Sequence, residues 1–65
     1  MTISKKAKEK ILNDVKVRAA LMLAFNMTEK SVQNWVAKDN IKLTTPLAVK
    51  TIAEATGLNE KQIIN

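Results

Sequence analysis

The chain has 65 residues, with eleven Lys and Arg against six Asp and Glu, a formal net charge of +5, and neither Cys nor His. That composition excludes structural zinc sites, disulfide frameworks, thiol nucleophiles and histidine general bases. The length holds it to a single domain, residues 1–65, of a size that buries only about 60% of the surface its unfolded chain exposes. Val, Leu, Ile and Phe number 18, above the roughly one-fifth share below which chains tend to stay disordered, so the chain is expected to fold. One Gly and one Pro leave little material for hairpin turns, and an all-α fold is the leading expectation. The N-terminal stretch lacks the apolar core of a signal peptide. The longest apolar run, residues 19–25, is seven residues, against about 17–25 for a membrane span.

Residues 4–13 are good helix formers, with Ser4 as the cap and Ala7 and Ile11 four apart on one face. Asn13 and Asp14 break this helix, and Asp14 caps the next. In residues 15–25 the spacing of Val17, Leu21, Ala24 and Phe25 marks one helical face, and the density of Leu, Met and Ala predicts a helix buried nearly all round. Asn26-Met27-Thr28 interrupts it. Asn tolerates the left-handed conformation of a tight turn, and Thr28 caps a third helix with Glu29 in its first turn. Val32, Trp35 and Val36 form the apolar face of residues 29–38. Residues 39–44 read as a polar loop pinned to the core by Ile41 and Leu43. Thr45 followed by Pro46 is a strong helix start, and Leu47, Val49, Ile52 and Ala53 follow at helical spacing until Gly57 caps the end. Asn59 and Glu60 open a short last helix with Ile63 and Ile64 as its apolar part. The fold expected is a compact bundle of about five short helices, with little room for a catalytic pocket.

The informative stretch is residues 18–36. Two short helices about three residues apart have the spacing of a helix-turn-helix, whose second helix lies in the DNA major groove. Phe25 before the turn and Met27 within it pack the helices together, and Val32 and Trp35 seat the second on the first. Phe25 and Trp35 are therefore read as core rather than as a base-stacking platform, which needs several exposed aromatics. The opposite face carries short hydrogen-bonding groups. Gln and Asn pair bidentately with adenine, Lys with guanine, and Glu accepts from cytosine.

The run Arg18-Ala-Ala-Leu-Met-Leu-Ala-Phe-Asn-Met-Thr-Glu-Lys-Ser-Val-Gln-Asn-Trp35 resembles the helix-turn-helix of phage repressor and Cro-type regulators. The order of helices on either side is similar to the lambda-repressor-like domain over nearly the whole chain. Asn26 stands where that turn usually holds Gly, and Met22 where the first helix usually holds Ala. The resemblance implies base contacts from Thr28, Glu29, Lys30, Gln33 and Asn34, and a phosphate contact from Arg18. Lys38 and Lys42 just after the helix, and Lys6 and Lys10 in the first helix, are further phosphate candidates. A domain this small contacts few base pairs alone, so a homodimer on double-stranded DNA is expected, with Ile63 and Ile64 as the candidate dimer surface.

The expected function is sequence-specific DNA binding by a small transcriptional regulator, repressor-like and phage-related, working in the cytoplasm at the nucleoid. No cofactor, metal, small-molecule ligand or membrane partner is expected, and no enzymatic activity, because six scattered carboxylates form no cluster. A membrane-surface role would need large apolar residues opposite the lysines of residues 4–13, which appear only at Ile11 and Leu12. Recognition of RNA usually displays aromatic side chains that this chain lacks. The alternative is a protein-interaction module, adaptor or antitoxin-like, that uses the same helices without binding DNA.

Overall fold

In the computed structural model, which describes residues 2–64, each helix begins at a residue whose side chain replaces a missing backbone partner. Helix α1 (Lys5–Asn13) starts at Ser4, whose Oγ accepts the Ala7 N–H. Asp14 closes α1 and opens α2 (Val15–Phe25), its carboxylate accepting the Lys16 N–H. Thr28 opens α3 (Glu29–Ala37) by accepting the Ser31 N–H. Thr45 and Pro46 open α4 (Pro46–Thr56). Asn59 opens α5 (Glu60–Ile63) with a reciprocal pair of hydrogen bonds to Gln62. Side-chain oxygens at these positions satisfy N–H groups that the first turn of a helix leaves free. Two helices end in the left-handed conformation: α2 at Asn26 (φ 51°) and α4 at Gly57 (φ 79°). Asn26 thus does the work expected of Gly in the turn.

The result is an all-α bundle of five helices, the described residues fitting within 26 × 22 × 21 Å. Helix α2 runs through its middle, packing most extensively on α4 and also on α1 and α3. The core is assembled from one stripe of each helix: Ala7 and Ile11, Val17 and Leu21, Val32 and Val36, Ala48, Val49 and Ile52, and Ile63. Met22 fits in as a partly buried flank of this core, its flexible side chain filling the irregular space there. No described helix is long and apolar enough to cross a membrane.

Three expectations need correction. Helix α2 is not buried all round: Leu23 is 84% and Val15 63% exposed, because its neighbours cover only the Val17–Leu21 side. The segment after α3 is not a plain loop but carries a turn of 3-10 helix, Ile41–Thr44. Only Leu43 pins it to the core, while Ile41 is 72% exposed. Lastly, Ile63 and Ile64 are no free surface. Ile63 is fully buried, and Ile64 pairs through an antiparallel bridge with Ile3, itself a core residue. Ser4 strengthens this closure, its N–H donating to the Ile63 carbonyl and its hydroxyl to the Gln62 carbonyl, both at 2.5 Å.

Candidate nucleic-acid interface

Helix α3 meets α2 across the turn at residues 26–28. Phe25 and Trp35 pack edge to face with ring centroids 5.3 Å apart and planes at 69°, the geometry favoured by aromatic quadrupoles. Met27 is partly buried against the same core. Val32 and Val36 are buried one turn apart, so the helical period turns the other side of α3 outward. That outward side carries Lys30, Gln33, Asn34, Ala37 and Lys38, all exposed. The side chains of Lys30, Gln33 and Asn34 make no hydrogen bond or ion pair with another described residue. Exposed and without a side-chain partner among the described residues, their polar ends remain available to a ligand.

The two ends of α3 are held differently from its face. The described residues contain two ion pairs, and both reach the ends of this helix. At the start, Arg18 Nε donates to Glu29 Oε1 at 2.8 Å. The same guanidinium donates through Nη1 to the carbonyls of Ile11 (3.0 Å) and Leu12 (2.6 Å) at the end of α1. Arg18 therefore ties three helices together, and its side chain is only 15% exposed. The planar fork of Arg suits this many-partner role where Lys would not. At the far end, Lys8 of α1 pairs with Asp39, which sits at φ 51° just past α3.

These tethers sort the candidate residues. Thr28 spends its hydroxyl on the cap and on Ser31 Oγ, though it stays exposed. Glu29 is engaged by Arg18 and is half exposed. Arg18 is a structural clasp first; most of its guanidinium is committed inside the protein, which weakens its assignment to phosphate. Lys38 is exposed at the end of α3, and the Lys42 amine stands 5.7 Å over the Trp35 ring, a cation–π contact that holds it beside α3. Lys6 and Lys10 lie elsewhere. Two residues of helix turn about 160° the short way round, so both stand almost opposite Lys8, the α1 lysine that reaches Asp39. They line an open groove of about 420 Å³ with Glu9, Asn13 and Asp14, away from α3.

The structure thus brings Lys30, Gln33, Asn34 and Lys38 to the outward side of α3, sets Lys42 at its Trp35 edge and separates Lys6 and Lys10 from them. Lys8, alike in sequence to its lysine neighbours, is set apart by its pairing with Asp39, which no local pattern marks. Because Glu29 and Asp39 are each neutralised by an internal cation, the α3 side keeps three uncompensated charges, Lys30, Lys38 and Lys42. Removal of the clasp has a measurable consequence. Arg18→Ala removes three charge-assisted hydrogen bonds, the one to the Ile11 carbonyl part-buried, and is expected to cost about 1–3 kcal/mol of stability in a urea titration. Glu29→Gln, at a half-exposed site, is expected to cost under about 1 kcal/mol. Equal losses for the two would show that the α1 carbonyls contribute nothing.

No family model, no curated protein and no solved structure matches this chain.

Proposed function

We propose that the chain is a sequence-specific double-stranded DNA-binding regulator in which α3 enters the major groove. The observation that supports this best is the outer side of α3, where Lys30, Gln33 and Asn34 stand exposed and unpartnered on a helix anchored at both ends. A helix of this kind fits the major groove, and these side-chain types match base edges there: Asn and Gln to adenine, Lys to guanine. Lys38 and Lys42 beside it supply phosphate contacts that fix register without reading sequence. The net charge of +5 adds the salt-dependent attraction common to all duplexes. Regulation of transcription of the repressor kind is the role that goes with such a domain.

The test is selection of bound sites from a random duplex pool. An enriched motif of a few base pairs supports the reading; recovery of an unbiased pool sinks sequence specificity. A titration with random duplex at low salt separates the alternative of a pure protein-interaction module. That module would show no affinity even at low ionic strength, where electrostatic binding is strongest.

A further inference from the structure

The outer side of α2 is apolar although it faces solvent. Val15, Ala19 and Leu23 recur at every fourth residue, so they form one stripe along about 12 Å of helix. All three are exposed, Val15 at 63% and Leu23 at 84%. Leu12, at the end of α1 just before this helix, is a further exposed apolar side chain at 48%, and Lys16 is the one exposed charge on α2. Single exposed apolar residues are ordinary, but three in register on one helix make a candidate contact site. Helix propensity does not call for it, since Glu, Lys or Gln would serve equally well there.

We propose that this stripe is the surface through which a second copy of the same chain docks when two copies lie side by side on one duplex. The proposal rests on the DNA-binding reading. Three observations select a second copy on DNA. First, the stripe is self-complementary. About a two-fold axis through Ala19, antiparallel α2 helices set Ala19 against Ala19 and Val15 against Leu23, and the small central residue lets the backbones approach. Second, the area is small. Four side chains present on the order of a few hundred Å² per copy, short of the roughly 800 Å² per partner of a stable complex. Third, each free copy carries +5, so two copies repel in solution. Phosphates neutralise that repulsion, and a shared duplex raises the local concentration, which is the condition under which a weak contact acts. The burial of Ile63 and the pairing of Ile64 with Ile3 close the C-terminal end to this role.

Binding is to be compared on a random-sequence duplex of about 12 base pairs, which seats one copy, and on one of about 60 base pairs, at about 10 base pairs per turn. Wild type is expected to bind the long duplex cooperatively, with a gain in affinity per site of at least about tenfold. Leu23→Gln is expected to abolish that gain while leaving affinity for the short duplex within about twofold, since it changes no charge. The chain has no Cys, so Ala19→Cys provides a second measurement. With diamide as oxidant it is expected to form a disulfide between copies on the long duplex and not in its absence. Failure of wild type to bind the short duplex would refute the DNA reading itself. Binding to the short duplex with no gain on the long one, or Ala19→Cys coupling equally well without DNA, would overturn the stripe's role alone.

Discussion

Leu21→Ala is expected to lower the stability of this protein by about 3 kcal/mol, the range found when a fully buried leucine leaves a cavity that its surroundings only partly fill. Leu21 is completely buried at the centre of α2, the helix that touches α1, α3 and α4. A domain of this length has in total about 3–10 kcal/mol of stability at the usual share per residue, so the variant loses from about a third to all of it. At about 4–8 °C per kcal/mol for domains of this size, the thermal midpoint should fall by at least about 12 °C. Leu23→Ala, two residues along the same helix, removes the same atoms from a side chain that is 84% exposed. It should change stability by no more than about 0.5 kcal/mol. Paired thermal melts followed by circular dichroism check both. A drop of under about 5 °C for Leu21→Ala, or similar drops for the two, would contradict the packing of α2.

That pair of leucines also shows where sequence reading ends. The helix starts were legible because capping is local: Ser4, Asp14, Thr28, Thr45 and Asn59 each act on backbone within three residues of themselves. The left-handed Asn26 and Gly57 were legible for the same reason. Which apolar side of α2 is covered was not legible, since Val15, Ala19 and Leu23 are spaced as regularly as Val17, Leu21 and Ala24. Composition announces that a helix has apolar sides; the number of neighbouring helices decides how many are buried. In the segment after α3, Ile41 and Leu43 stand two apart on a tight helical turn, so they cannot share a side, and only Leu43 turns inward. The closure of the two chain ends through Ile3 and Ile64 was out of reach because no short-range pattern encodes a pairing across 61 positions.

The candidate site divides along the same line. Its outward residues, Lys30, Gln33 and Asn34, follow from the buried positions Val32 and Val36 by helical period alone, so sequence was enough. The roles of charged groups were not, because an Arg or Glu is committed by whatever lies next to it in space. Sequence offers Arg18 to phosphate, while in space the carbonyls of Ile11 and Leu12 and the Glu29 carboxylate take up its Nε and Nη1 groups. Glu29 accordingly serves first to fix α3, and its part in base recognition is the most altered of the proposed contacts. An acid next to a phosphate-lined groove would otherwise repel the duplex. Paired with Arg18, its charge is offset.

The second large effect concerns Asn34 and Lys38, one turn apart on the same helix and proposed for different tasks. Asn34→Ala removes the proposed bidentate adenine reader, a kind of contact that discriminates against other bases by about 1–3 kcal/mol. Affinity for the selected site should fall by about tenfold to a hundredfold, while affinity for random duplex stays nearly constant, because no phosphate contact is lost. Lys38→Ala should do the reverse. It should weaken selected and random duplexes alike and reduce the slope of log affinity against log salt by about one. The same side chains predict no change in folding, since both are exposed and Asn34 has no partner among the described residues. Fluorescence anisotropy on both duplexes at several salt concentrations gives all four numbers at once. A uniform loss for Asn34→Ala would place it on the backbone rather than the bases. An unchanged salt slope for Lys38→Ala would leave Lys30 and Lys42 as the cations on this side that hold the duplex. The distinction matters physically because the two contacts respond to different variables, one to the identity of a base pair and the other to ionic strength. A domain with three uncompensated lysines about a proposed reading face needs both to separate one site from the surrounding polyanion.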